Sequence, residues 1–162
     1  MTKTIRHHNK MNWLSSEKED IFFIKHLSHV PVNGGVEKPP MHRHPFHEMI
    51  IVTEGEGIIQ IDFQEYPLKK GVICLLSPSQ VHEPIETSKD YKAFLLRFYP
   101  SVFDNKEFFD HITIFNSDYI VLDDENYADI HTLLLRLNHE FEQEEELKYF
   151  AMGNLLKCLL IM

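Results

Sequence analysis

The chain has 162 residues, of which 43% are hydrophobic and 25% charged, a composition that suits one folded domain with a substantial core. Its formal net charge is −9, from 25 acidic and 16 basic side chains. Because phosphate backbones and anionic lipids attract positive charge, this balance argues against a free nucleic-acid binder and against a membrane-surface protein.

The cysteines and the first residues bear on the compartment. Cys74 and Cys158 each lie in an apolar run, which favours two buried thiols in a reducing compartment over a disulfide scaffold. The first 20 residues contain no apolar signal core, and no apolar run is long enough to span a bilayer. We therefore expect a cytoplasmic protein.

Strand signals dominate the chain up to about residue 122. Residues 1–19 are polar and mixed and form a predicted lead-in segment. Short β-branched or alternating runs then follow, separated by glycine-marked turns at Gly55, Gly57 and Gly71. The predicted strands cover residues 20–27, 46–53, 58–63, 72–76, 91–99 and 119–122, with a loop at 77–84 and irregular structure or a short helix within 103–115. Such spacing is typical of a β-barrel or a sandwich.

Two helices are predicted after the strands. Asp123 or Asp124 is a suitable N-cap for the first, in which apolar side chains recur at helical spacing. These are Ile130, Leu133, Leu134, Leu137 and Phe141. The acidic run at 142–146 favours the start of the second helix through the helix dipole.

The second predicted helix is apolar around most of its circumference. One stripe contains Leu147, Phe150, Ala151, Leu155 and Cys158. The run from Leu155 to Met162 widens that stripe, so this helix must be covered on more than one side. Since the sequence ends in four apolar residues without a helix stop signal, we expect that more protein, or a partner, follows.

Four side chains carry the ligand chemistry of the sequence. His42 and His44 are two residues apart, and Glu48 keeps the same parity, so in a strand all three project to one face. His82 comes from the predicted loop. Imidazole and carboxylate groups bind metals such as Mn, Fe, Ni or Zn, or orient a small polar ligand. A bound metal, a polar effector pocket and purely structural hydrogen bonding all remain open.

The other candidate side chains are less specific. Arg97 can reach into the barrel to bind an anionic ligand, or can pair with a surface acid. His47 lies on the opposite strand face and is expected to be an exposed or core histidine. The remaining histidines show no ligand spacing and are predicted to be surface residues: His7, His8, His26, His29, His111, His131 and His139.

The segment 42–57 resembles the first cupin motif, with two histidines around one residue, a glutamate four positions later, and Gly55 after six more residues. The segment 71–82 is similar to the second motif, in which a glycine, a short strand, a proline and a histidine follow one another. Cupin enzymes usually place a glycine between that proline and histidine, whereas Ser79, Gln80 and Val81 stand here. That loop, and the order of a barrel followed by two helices, resemble the sensor domains of AraC-type transcriptional regulators.

The resemblance implies a mainly β fold: a cupin-type double-stranded β-helix, or jelly-roll, barrel followed by two C-terminal α-helices. It implies a sensor barrel over residues 20–122 and a helical dimerisation and linker segment over 123–162, with the DNA-binding helix-turn-helix region missing. The barrel would bind a small polar effector of the sugar or organic acid class, the helices would form a homodimer, and DNA would be bound only through the missing region. The implied ligand-binding residues are His42, His44, Glu48, His82 and Arg97.

No catalytic residue and no certain cofactor follow from the resemblance, although the set of His42, His44, Glu48 and His82 suits a divalent metal such as Zn, Ni, Fe or Mn. The alternative function is a metal-dependent cupin enzyme, either a dioxygenase or a sugar isomerase. A third hypothesis is a pure dimerisation scaffold with an empty barrel.

Overall fold

The structure is a computed structural model that describes residues 22–28, 39–103, 117–144 and 146–162. The strands are β1 (Phe22–Ser28), β2 (His47–Glu54), β3 (Glu56–Ile61), β4 (Gln64–Lys69), β5 (Val72–Leu76), β6 (His82–Thr87), β7 (Lys92–Phe98) and β8 (Tyr119–Val121). A single 3-10 turn, Pro100–Val102, follows β7, and the helices are α1 (Asp124–Glu142) and α2 (Lys148–Ile161).

The described strands form two antiparallel sheets. The larger has the order β1-β7-β2-β5-β8 and the smaller the order β4-β3-β6. Apolar side chains from both sheets meet in one buried cluster, which includes Val52 and Leu76 of the larger sheet and Ile59 and Ile61 of the smaller. The sheets therefore enclose the interior of a barrel. This architecture confirms the mainly β, cupin-type jelly-roll fold with two C-terminal helices.

The central strands of the larger sheet are buried on both faces because the helices cover its outer side. Met49 and Ile51 of β2 pack in a second buried cluster with Leu134 of α1 and Leu156 of α2, whereas Val52 lies in the interior cluster. Alternate residues of a strand point to opposite faces, so β2 contributes to both clusters. Every residue of β5 is buried, which explains its continuous apolar run.

Helix α1 begins as predicted at Asp123, whose side chain accepts a hydrogen bond from the Asn126 backbone N–H at 2.8 Å. In α2 the predicted core stripe is wrong at three positions: Leu147 and Phe150 are 70% and 71% exposed, and Cys158 is exposed as well. The buried residues of α2 are Met152, Gly153, Leu156, Leu159 and Leu160. Because α2 is apolar nearly all round, the spacing of its apolar residues does not determine which face is buried. Packing against α1 and the sheet determines that face.

The segment 77–84 is not entirely a loop, because β6 begins at His82 and pairs with β3. Pro84 within the strand hides the β signal. The predicted strand 58–63 is too long, since Asp62 and Phe63 have positive φ and form the turn before β4. Residues 1–19 and 104–116 lie outside the described residues. In the described parts of the chain, no helix has both the length and the apolarity needed to cross a bilayer.

Candidate functional site

A cavity of about 70 Å³ lies between the two sheets, and its mouth is open to solvent. Its lining is mainly apolar, with a small number of polar groups. The lining residues are Leu27, Pro39, His42, Glu48, Ile50, Ile59, Leu68, His82, Pro84, Thr87, Tyr91, Leu95 and Arg97. A concave, largely apolar space with convergent polar groups is typical of a small-molecule site.

Glu48 and Arg97 form the charged pair of the cavity. They are direct cross-strand partners on β2 and β7, and Arg97 Nε donates to Glu48 Oε2 at 2.7 Å. The Glu48 side chain is 5% exposed and that of Arg97 25%. Arg97 therefore reaches into the barrel, and its acidic partner is a buried residue rather than the surface acid weighed from the sequence.

Backbone hydrogen bonds, rather than strand parity, bring His42 to His82. The strand β2 begins only at His47, and both earlier histidines precede it. The His42 N–H donates to the His82 carbonyl at 3.0 Å, and the His82 N–H donates back to the His42 carbonyl at 2.9 Å. The two rings consequently lie close, with centroids 4.3 Å apart. The Ser79 N–H donates to the His44 carbonyl at 2.9 Å, which ties the same loop to His44.

All three histidines are anchored at Nδ1 by a backbone carbonyl. His42 Nδ1 lies 2.8 Å from the Pro40 oxygen, His44 Nδ1 lies 2.9 Å from the Phe46 oxygen, and His82 Nδ1 lies 3.3 Å from the Gln80 oxygen. Because a carbonyl only accepts, each Nδ1 carries the hydrogen. In the neutral ring, Nε2 is then left as an acceptor.

Among the described residues, the buried Nε2 atoms of His44 and His82 find no hydrogen-bond partner. They lie 3.6 Å and 3.7 Å from the two Glu48 carboxylate oxygens. Burial lowers the pKa of His44, and it lowers the pKa of His82 to about 4, against the opposing effect of the Glu48 carboxylate. At neutral pH both rings are uncharged, so lone pairs of nitrogen face lone pairs of oxygen. A cation between them would relieve that repulsion.

The donor set of His44, Glu48 and His82 fits a divalent metal. One ligand atom from each lies within 4.8 Å of the others, and an imidazole held at Nδ1 by a carbonyl is the usual orientation of a metal-binding histidine. Two imidazoles and a carboxylate suit Zn, Ni, Fe or Mn. His42, the fourth residue of the predicted set, lies beside His82 with its ring tilted by 54° and lines the cavity, whereas His44 is absent from the cavity lining.

The profile of the family described as "AraC-like ligand binding domain" matches residues 36–152. This chain belongs to that family. The match spans the whole cavity apart from Leu27 and reaches into α2. It also covers the cluster of His42, His44 and His82. Domains of this family occur in transcription regulators.

Individual relatives agree with this assignment. The HTH-type transcriptional activator RhaS of Escherichia fergusonii is 40% identical over 43 residues, which are 26% of this chain and 16% of RhaS. The crystal structure of the AraC-like transcriptional activator CuxR matches with a TM-score of 0.50 at 10% identity, over 74% of this chain and 43% of CuxR. Apo ToxT K231A from Vibrio cholerae strain SCE256 matches with a TM-score of 0.52 at 6% identity, over 85% and 54%. At such identities the two structures show the fold alone, and the chain spans about half of their length or less.

Sequence reasoning missed the role of Gln80 in this AraC-like domain. Its side-chain amide donates to Asp62 and Asp118, both at 3.1 Å, and its Oε1 accepts from the Ser77 N–H at 2.7 Å. Gln80 thereby fixes the loop that carries His82. The only signal in the sequence was that Ser79, Gln80 and Val81 replace the glycine of the cupin enzymes.

The other histidines of the AraC-like domain lie away from the cluster. His47 is half-buried and stacks on Phe98 with centroids 5.4 Å apart, and burial lowers its pKa to about 4. His26 and His139 are exposed, as predicted, whereas His131 is half-buried and stacks on Tyr127. His7, His8, His29 and His111 lie outside the described residues.

Proposed function

We propose that this domain binds a small polar effector in the barrel cavity and thereby controls a C-terminal DNA-binding domain. The observation that carries the proposal is the Glu48–Arg97 pair, buried at 2.7 Å in a mainly apolar cavity. A guanidinium group donates to carboxylates and hydroxyls, and a carboxylate accepts from hydroxyls. Both features suit a sugar or an organic acid.

Binding signals only if the effector prefers one arrangement of barrel and helices over another. A row of ring contacts leads from the cavity towards the helices. Arg97 Cζ lies 5.9 Å from the Phe23 ring, the Phe23 and Phe141 rings meet edge to face at 5.6 Å, and Lys148 Nζ lies 5.2 Å from the Phe141 ring. Phe141 is the penultimate residue of α1 and Lys148 is the first residue of α2, so a shift of Arg97 would reach the junction of the two helices.

A binding screen tests the effector proposal. We would measure thermal shifts and calorimetric binding for a panel of sugars and small organic acids with wild-type protein, R97M and R136M. Arg136 of α1 is exposed, pairs with the buried Glu140 and does not line the cavity, so R136M controls for the loss of an arginine that pairs with a buried acid. At least one compound should stabilise the wild type and R136M but not R97M. If no compound binds, and native mass spectrometry finds none retained after purification, the proposal is wrong.

We also propose that the domain forms a homodimer through its C-terminal helices. Six large hydrophobic side chains in or next to the C-terminal helices are more than half exposed: Leu135, Leu147, Tyr149, Phe150, Ile161 and Met162. In a two-fold dimer the same patch meets itself, so one interface can cover part of this surface on both subunits. Light scattering should give a dimer for the wild type and for F63N, which removes a 76% exposed side chain elsewhere, and a monomer for L147S/F150S. A wild type that is monomeric at high concentration would contradict this proposal.

The alternative is a metal-dependent cupin enzyme, a dioxygenase or a sugar isomerase, and the His44, Glu48 and His82 donor set favours it. A metal bound there would polarise an oxygen atom of the substrate, or would take part in a reaction with dioxygen. Purification without chelator or nickel resin, followed by elemental analysis, tests this alternative. One equivalent of Fe or Mn that is lost in H44A, with turnover of a small substrate, would favour the enzyme. If the domain dimerises but binds neither a ligand nor a metal, the hypothesis of a pure dimerisation scaffold remains.

A further inference from the structure

We propose that Arg97 and a divalent metal ion compete for the Glu48 carboxylate, so that a small carboxylate bound at Arg97 raises the affinity of the metal site. The effector would then be an organic anion that binds together with a divalent cation. This inference rests on the proposed function, for which it specifies the ligand class and the regulation.

A single carboxylate serves both partners. Glu48 Oε2 accepts from Arg97 Nε at 2.7 Å and lies 3.6 Å from His44 Nε2. The other oxygen, Oε1, lies 3.7 Å from His82 Nε2. Arg97 and a metal ion bound at the two histidines would therefore share the single negative charge of Glu48.

The charges of the cavity make the competition strong. Among the described residues that line the cavity, Glu48 is the only carboxylate and Arg97 the only Lys or Arg side chain. With both histidine rings neutral, the charges of Glu48 and Arg97 cancel. A divalent ion would then add two uncompensated positive charges. Because Glu48 is 4% exposed, water and salt screen such an excess poorly. An anion at Arg97 reduces the excess and releases Glu48.

The position of Arg97 allows it to exchange one anion for another. A quarter of its side chain is exposed. Its Cζ also lies 5.4 Å from the Phe46 ring and 5.9 Å from the Phe23 ring, where the ring faces attract a cation. These rings hold the guanidinium beside the cavity when the carboxylate turns away. Arg97 can then pair with a ligand carboxylate without moving out of the site.

Mn²⁺ titrations with acetate as the probe test the coupling. Protein stripped by a chelator and dialysed would be titrated with Mn²⁺, with bound metal read by electron paramagnetic resonance, in acetate or in chloride of equal ionic strength. Acetate should lower the Kd of the wild type for Mn²⁺ by about 5- to 150-fold, the usual range for coupled sites. By reciprocity, Mn²⁺ should lower the Kd for acetate by the same factor.

Three variants identify the residue responsible. R97M should bind Mn²⁺ more tightly than the wild type in chloride and should show no acetate effect. R97K keeps the charge and should resemble the wild type, which keeps the test decisive if R97M does not fold. R136M should behave as the wild type.

The proposal is overturned if acetate leaves the wild-type Kd for Mn²⁺ unchanged, or if its effect persists in R97M, since acetate would then bind the metal directly. It is also overturned if neither the wild type nor R97M binds Mn²⁺. In that case, an effector from the screen that still stabilises the wild type would leave the proposed function intact. If neither acetate nor any screened compound binds while Mn²⁺ does, the proposed function and this coupling both fail.

Discussion

Arg97 and Glu48 lie directly opposite each other on β7 and β2, and their side chains meet inside the barrel at 2.7 Å. Six residues further along β2, Glu54 opposes Lys92 on the same two strands, and these side chains also meet at 2.7 Å. The second pair is about half exposed, whereas Glu48 is 5% exposed. Two ion pairs of equal length on the same strands therefore differ mainly in their access to water.

We predict that E48Q destabilises the fold and that E54Q does not. Removing one partner of a buried pair leaves an uncompensated charge, which costs about 3–5 kcal/mol when burial is complete. Because Arg97 is a quarter exposed, we expect about 1–3 kcal/mol for E48Q, against less than about 1 kcal/mol for E54Q. Urea denaturation measures both free energies of unfolding.

The double variant E48Q/R97M separates a charge effect from a packing effect. If the unpaired charge dominates, the double variant should lose less stability than the sum of the two single losses. Simple additivity, or an E48Q cost no larger than that of E54Q, would show that this pair is not the buried interaction described above.

A second prediction concerns the metal ligands. H44A and H82A should each weaken Zn²⁺ binding by at least about tenfold, because each removes one of three donors. H42A should weaken it by less, since the His42 ring only lies beside His82 while the converging donor atoms belong to His44, Glu48 and His82. Calorimetry on chelator-stripped protein measures the three affinities, with H139A as a control for an exposed histidine. A larger loss in H42A than in H82A would contradict this donor set.

The barrel could be predicted from the sequence because its determinants are local. Alternation in residues 58–61, the glycine at a positive φ at Gly55 and the β-branched run before it each depend on neighbours in the chain. The strand β6 could not be predicted in this way, because it depends on pairing with β3 across more than 20 residues, and a proline hides its pattern. The buried face of α2 also could not be predicted from the sequence, since nearly every face of that helix is apolar.

The site was partly predictable for a similar reason. Residue types nominated His42, His44, Glu48 and His82, and the ligand atoms of the last three converge. The Arg97–Glu48 pair depends on the register between β2 and β7, which only the fold sets. The anchoring of each Nδ1 by a backbone carbonyl depends on turn conformation, as does the role of Gln80, and neither leaves a pattern in the residue types.

The third prediction concerns acid stability. His47 and His82 each have a pKa of about 4 in the fold because burial disfavours the charged ring, against about 6.5 in an unfolded chain. Between these values the unfolded state binds more protons, so the free energy of unfolding rises with pH through this window. The stabilisation is complete above pH 6.5 and is lost as the pH falls towards 4, by on the order of 1–3 kcal/mol for each histidine.

Urea denaturation at several pH values, in the presence of a chelator, measures this dependence. The variant H47Q should show a shallower slope between pH 6.5 and 4, because one of the two buried rings no longer titrates. The variant H139Q, at an exposed histidine, should keep the wild-type slope. A flat wild-type profile, or an unchanged slope in H47Q, would show that these histidines do not cause the loss of stability in acid.

The last prediction compares two glycines. Gly55 has φ +73°, and an added Cβ would lie 2.6 Å from the Tyr91 Cα and from Ser88 Oγ, so G55A should cost about 2 kcal/mol or more through strain and displaced backbone. Gly153 in α2 has no atom nearer than 3.7 Å to such a Cβ, and alanine is the better helix former. G153A should therefore stabilise the fold by about 0.5–1 kcal/mol. Thermal unfolding should give opposite shifts in Tm, and shifts of the same sign would show that one of these two backbone environments is wrong.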